Sequence, residues 1–284
     1  HVLCCCSYSS CIVLHIFCGG SEMSLFELEN VSYSYDGIPA LSDITLSIDA
    51  GESVSLLGPN EKNKSTLLRV LNGLYFPETG TYAFDGMQIN KKAFRDKRAE
   101  KKFHQRIGFV FQDPSVQLLC SSVYDEIAFA PRQMGMSEDD VKKRTDDCLQ
   151  LLGIGGFADR VPYHLSGGEK HKVAVASVLA QDPDVLVMDE PMNGLDPRTR
   201  RWLAEFLVQL NNAGKTIIIS THDIEMVNEI TKRSILFSSE HKILCDRATQ
   251  DLLTDTQLLI DADLVDEYYH AHRDHGHMHF HDHE

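Results

Sequence analysis

A phosphate chain is held by backbone N–H groups, a lysine and a hydroxyl gathered between a strand and a helix, and one segment carries most of that pattern. Gly58-Pro59-Asn60-Glu61-Lys62-Asn63-Lys64-Ser65-Thr66 follows ESVSLL and precedes LLRVLNGL. In the spacing G-x-x-x-x-G-K-[ST], backbone amides cradle the phosphates, the lysine reaches the β/γ oxygens and the hydroxyl holds Mg²⁺. Lys64 and Ser65 fill the last two places, but Asn63 stands where the second glycine belongs, and Glu61 where a small residue would let the backbone approach. Asparagine tolerates left-handed angles, which makes Asn63 survivable. Glu61 is harder to reconcile, because it brings negative charge toward a triphosphate. Taken alone, the segment reads equally well as a surface turn.

Other segments could supply the remaining chemistry. Leu165-Ser166-Gly167-Gly168-Glu169 offers a hydroxyl and close backbone donors at a helix start, as an anionic phosphate needs, although a glycine-rich helix cap would look the same. The apolar run VLVMD delivers Asp189 and Glu190 at its C-terminal end, where ligands of open α/β sheets gather. His222 ends the run TIIISTH, one strand further on. Gln112 in GFVFQDP carries no weight alone, and Tyr35 in VSYSYDG competes with Tyr33 and with the reading of an ordinary strand aromatic.

In their order over about residues 23–250, these motifs resemble those of ABC ATPases. The resemblance implies ATP and Mg²⁺ as cofactors. It makes Gly58, Pro59, Asn60, Glu61, Lys62, Asn63, Lys64, Ser65 and Thr66 the phosphate loop, Tyr35 the adenine platform, and Ser65, Gln112 and Asp189 the residues that serve Mg²⁺. Glu190 then polarises the attacking water, His222 contacts the γ-phosphate, and Gln112 senses metal and water while its loop presses on a membrane subunit. Ser166, Gly167 and Gly168 cap the γ-phosphate held by a neighbouring copy in a head-to-tail dimer, which Asp196 in NGLDP also faces.

The stretch DPSVQLLCSSVYDEIAFAP, in which Gln117 begins a short helix near the coupling interface, is similar to energy-coupling-factor ATPases, and GMSEDDVKKRTDDCLQLLGI keeps that register. This branch implies a homodimer or a dimer with a paralogous ATPase, a transmembrane energy-coupling scaffold, a metal-binding membrane subunit, and a peripheral place on the cytoplasmic face of the membrane. His270, His272, His275, His277, His279, His281 and His283 crowd the end of the chain, interleaved with Asp274 and Asp282. Imidazole is a favoured ligand of nickel, cobalt, copper and zinc. The interleaving reads as a metal-collecting tail, with His272 to His283 as ligands, and points to the cobalt/nickel import branch. An added purification tag is the plainer alternative, and histidine does not separate the two metals.

Elements of two kinds must position these residues. LFELENVSYSY, ALSDITLSI and ESVSLLG are short β-rich runs, whereas VLVMD and TIIIS read as strands buried on both faces, the mark of a parallel sheet flanked by helices. LLRVLNGL and VKKRTDDCLQLLGI have helical spacing. The expected fold class is α/β: a P-loop ABC ATPase domain over 23–265 with a parallel-sheet core, an antiparallel β subdomain and a helical insertion at about 115–170. Residues 266–284 form a His-rich disordered tail. Residues 1–22, with Cys4, Cys5, Cys6, Cys11 and Cys18 but no leader pattern, read as an upstream extension ahead of Met23. A Cys-rich metal-binding arm fits less well without Cys-x-x-Cys spacing.

The chain has 284 residues, 43% of them hydrophobic, and a formal net charge of −15, which argues against a nucleic-acid binder working through a broad basic surface. It contains no apolar run long enough to span a bilayer, and three scattered cysteines beyond the first segment suit a reducing compartment. Alternatives stay open: a nucleotide-impaired subunit serving an active paralogue, a vitamin-importing ATPase of the same branch, a soluble ABC protein of repair or translation, or a metal buffer with a vestigial ATPase.

Overall fold

The computed structural model describes residues 24–59 and 61–264. The expected extension 1–22, the histidine tail with His272, His275, His277, His279, His281 and His283, and Asn60 lie outside the described residues, as does the Glu61 side chain.

Alternating burial along β1 (Phe26–Tyr35) and β2 (Ile38–Ile48) marks strands with one wet face. They pair antiparallel through Asp36-Gly37, both at positive φ, as a two-residue hairpin turn requires. After β3 (Ser53–Leu57) and α1 (Glu61–Leu71), β4 (Thr79–Phe84) pairs with β1 and carries the short β5 (Met87–Gln88), completing an antiparallel sheet in the order β2-β1-β4-β5.

Helix α2 (Lys97–Arg106) leads into β6 (Ile107–Val110). The central polar stretch then forms α3 (Val123–Met134) and α4 (Glu138–Leu151). Each starts at a serine, Ser122 or Ser137, whose hydroxyl accepts a first-turn N–H, and α3 stops at Gly135 in the left-handed region. Helix α5 (Gly167–Leu179), β7 (Val185–Asp189), α6 (Pro197–Asn212), β8 (Thr216–Ser220), α7 (Ile224–Ile230), β9 (Arg233–Phe237), β10 (Ile243–Ala248), α8 (Thr249–Thr254) and α9 (Thr256–Asp261) complete the described chain. The second sheet runs β10-β9-β3-β8-β7-β6, parallel except for the β9–β10 hairpin.

Every residue of β3, β7 and β8 is buried because both sheet faces are covered. Val54, Leu56, Val185, Val187 and Ile218 pack with α1 and the antiparallel sheet around Phe26, Tyr82 and Phe84. The alternate residues Leu186, Met188, Ile217 and Ile219 meet the helical layer at Val173, Val175, Leu203 and Leu207. No helix among the described residues is long and apolar enough to cross a membrane.

Candidate functional site

Strands β3, β8 and β7 run side by side in register, with Leu56 opposite Ser220 and Ser220 opposite Asp189. The segments leaving the three strands therefore meet at one carboxyl-end edge: the loop from Gly58 into α1, the pair Asp189-Glu190, and Thr221-His222. Gly58 cannot be replaced easily. Its φ is +142°, and a Cβ there would sit 2.8 Å from the Phe237 carbonyl oxygen.

Lys64 is buried, and its Nζ donates to the Gly58 carbonyl at 2.6 Å and lies 3.9 Å from Glu190 Oε1. The Ser65 hydroxyl donates to Asp189 Oδ1 at 2.9 Å, and the Ser220 hydroxyl donates to the same oxygen at 2.6 Å. Ser220 Oγ also accepts the Glu190 N–H at 2.9 Å. Glu190 is itself held at φ +45°, a left-handed conformation that persists in a non-glycine residue only when its surroundings enforce it. Its Oε2 is 2.9 Å from Nδ1 of His222, whose side chain is 57% exposed against 3% for Glu190. Two buried carboxylates, a buried ammonium and a half-open imidazole thus converge where a phosphate chain would enter. Such a cluster works in low dielectric, where charge–charge terms are several times stronger than in water.

Around this centre, α1 begins at Glu61 and so includes Lys62, which is exposed, and Asn63. Asn63 does not use a left-handed conformation, contrary to the expectation. It is helical and fully buried, with its side-chain oxygen 2.7 Å from His241 Nδ1. Thr66 caps back to the Lys62 carbonyl at 2.5 Å and lies 3.1 Å from the Tyr35 hydroxyl. Tyr33 instead stacks on Tyr75, with centroids 5.1 Å apart, so Tyr35 is the aromatic tied to the phosphate-loop helix. Burial and the neighbouring Tyr35 and Tyr75 raise the Tyr33 phenol pKa.

Ser166 caps α5 in a capping box: Glu169 Oε2 accepts from both its N–H and its hydroxyl at 2.8 Å. Hydrogen bonds from Ser166 hold the Glu169 carboxyl below its usual range. Ser166 and Gly167 are exposed, Gly168 is half-buried, and Asp196 caps α6 through Arg198 N, Thr199 N and the Thr199 hydroxyl. Gln112 is exposed and, among the described residues, makes no hydrogen bond to Ser65 or Asp189. It borders a cavity of about 310 Å³ shared with Asp113, Gly167, His171 and Gly194.

Gln117 does not begin a helix. It closes the short turn Pro114–Val116, where its amide donates to the Ala174 carbonyl at 3.1 Å and accepts the Phe111 N–H at 3.2 Å, fastening the Gln112 segment to α5. His222 likewise stands two residues past the end of β8. Sequence reasoning missed Ser220, His241 and His171. A polar residue ending the buried run TIIIS was the available signal for Ser220; the other two had none.

The ABC transporter family model matches residues 41–193. The nickel import ATP-binding protein LarO of Lactiplantibacillus plantarum is 44% identical over 228 residues, covering 80% of this chain and 95% of that one. The energy-coupling factor transporter ATP-binding protein EcfA2 of Methanospirillum hungatei is 42% identical over 241 residues, 84% of this chain and 59% of that one. Among solved structures, cbiO1 of Clostridium perfringens, part of the ABC transporter complex cbiONQ, superposes with a TM-score of 0.74 at 34% identity, covering 86% of this chain and 96% of that one. With the phosphate loop, paired acids and capped signature in one fold, and these relatives along most of its length, the chain belongs to the ABC transporter ATP-binding family.

Proposed function

We propose that the chain is the ATP-binding and hydrolysing subunit of an importer for nickel or cobalt, working as a dimer through transmembrane partners on the cytoplasmic face of the membrane. The observation that carries this reading is the meeting of Lys64, Ser65, Asp189, Glu190 and His222 at one sheet edge. The relatives named for nickel import support the choice of cargo.

In this reading Lys64 exchanges the Gly58 carbonyl for phosphate oxygens, Glu190 accepts a hydrogen bond from the attacking water, and His222, fixed by Glu190, contacts the γ-phosphate. The facing oxygens of Ser65 and Asp189, 2.9 Å apart, are hard donors that suit Mg²⁺, which keeps waters and phosphate oxygens as its other ligands. Mg²⁺ neutralises phosphate charge when bound. Tyr35 supplies an adenine face beside Thr66. The exposed apolar side chains Phe111, Val116 and Leu119, on and beside the segment fastened by Gln117, form with Phe129 of α3 the surface for a membrane partner.

The test is uptake of nickel or cobalt by vesicles containing the chain and whatever membrane proteins copurify with it. ATP-driven uptake that Glu190→Gln abolishes, while ATP binding survives, is the expected result. Uptake unaffected by Glu190→Gln overturns the catalytic assignment, and uptake of a vitamin in place of either metal favours the other branch of the family.

A further inference from the structure

Asn63 immediately precedes Lys64, and its amide is engaged at both ends. Its Nδ2 lies 3.5 Å from the Ser238 carbonyl and its Oδ1 2.7 Å from His241 Nδ1. With the amide nitrogen facing a carbonyl, the oxygen faces the imidazole, so Nδ1 of His241 carries the proton and donates. His241 sits in the β9–β10 turn at φ +66°, in the left-handed region that favours glycine and that another residue adopts only when its surroundings hold it there. Its backbone is pinned on both sides: its N–H donates to the Ser238 carbonyl at 3.2 Å, and its carbonyl accepts the Ser42 N–H of β2 at 2.9 Å. One residue thus joins the β9–β10 turn, the hairpin that carries Tyr35, and the first turn of α1.

We infer that His241 is a positioning residue for ATP, acting through Asn63. It keeps the Asn63 amide seated against the β9–β10 turn, so that the backbone entering Lys64 and Ser65 holds the shape that receives a triphosphate. A glycine at position 63 needs no such seat, having no side chain to park; an asparagine does. The inference deepens the proposed ATP site and rests on that reading.

The test titrates ATP with Mg²⁺ by calorimetry into the full chain and into His241→Gly, His241→Asn, Asn63→Gly and the double variant Asn63→Gly/His241→Gly. Glycine and asparagine both accept φ +66°, so the turn is kept; the lost bond to the buried Asn63 oxygen lowers the melting temperature, binding is compared well below it, and either variant serves if the other fails to fold. Losing one hydrogen bond raises the ATP Kd by roughly three- to tenfold in both His241 variants. In turnover assays the effect falls on KM and not on kcat. In the Asn63→Gly background the same change leaves Kd where it was, since the bond is already gone. A His241→Gly chain that binds ATP as the parent does, or an effect that persists undiminished beside Asn63→Gly, overturns the inference alone. A parent chain that binds no ATP overturns the site as well.

Discussion

Ser220→Ala deletes one oxygen and removes a hydrogen bond from each candidate acid. The hydroxyl is completely buried, donates to Asp189 Oδ1 at 2.6 Å and accepts the Glu190 N–H at 2.9 Å. The bond to the carboxylate is charge-assisted and contributes about 1.5–3 kcal/mol, while the neutral one adds about 0.5–1.5 kcal/mol. Glu190 N–H retains the Ser220 carbonyl at 3.1 Å, so the second loss is partial, and the expected destabilisation is about 2–4 kcal/mol. In urea the midpoint falls while the slope holds, because the surface exposed on unfolding is unchanged. Turnover falls further than stability alone would dictate. Glu190 occupies its left-handed conformation under that clamp, and a misplacement of the order of 1 Å costs up to about 10²-fold. Parent-like urea midpoint and parent-like kcat in Ser220→Ala would refute the claim that this serine couples Asp189 to Glu190.

Three further outcomes are expected. Glu61→Gly/Asn63→Gly binds ATP more tightly and turns it over faster than the parent, and equal affinities by calorimetry refute that. Removing 268–284 lowers nickel and cobalt binding of the purified chain; unchanged metal titrations would sink the tail as a collecting device. His171 is buried with no hydrogen-bond partner for Nε2 among the described residues, and desolvation pushes its imidazole down to about 4. The unfolded chain therefore binds a proton near pH 6.5 that the folded chain refuses, so stability is full above about 6.5 and falls by about 3 kcal/mol as pH drops toward 4. Urea midpoints at pH 7 and 5 should differ for the parent and differ less in His171→Leu, the remainder including the contribution of His104, whose imidazole pKa burial also lowers.

Strands whose burial is two-sided were legible: VLVMD and TIIIS became β7 and β8 residue for residue, because unbroken apolar runs of that length have few other places to go. The acids at the end of VLVMD were legible for the same reason, since the strand fixes where they emerge. Lateral contacts were not legible. Nothing in a linear reading joins Asn63 to His241, 178 positions away, and such a reading gives the asparagine a backbone role when its side chain is what the fold uses. Gln117 stands out in the sequence for its place in a motif, yet in the structure it ties a loop to α5 through a bond to Ala174 that spacing does not encode. Motif order carried the site; packing decided how each member is held.

The signature imposes a further condition on that site. The Ser166 hydroxyl is engaged by Glu169 in its own helix cap and faces solvent, along with Gly167, while Lys64 and Glu190 are buried at the sheet edge. The resemblance assigns Ser166 to the site of a second copy, and complementation separates that geometry from a signature acting within its own chain. Glu190→Gln disables the pocket of the copy that carries it but leaves its signature intact; Ser166→Arg does the reverse. Each variant dimer alone has two defective sites. In a mixed dimer, one site pairs the intact Glu190 of one copy with the intact Ser166 of the other, so mixing restores turnover in the mixed population. A signature acting within its own chain would restore nothing at any mixing ratio, and that result would remove Ser166 from the partner's pocket.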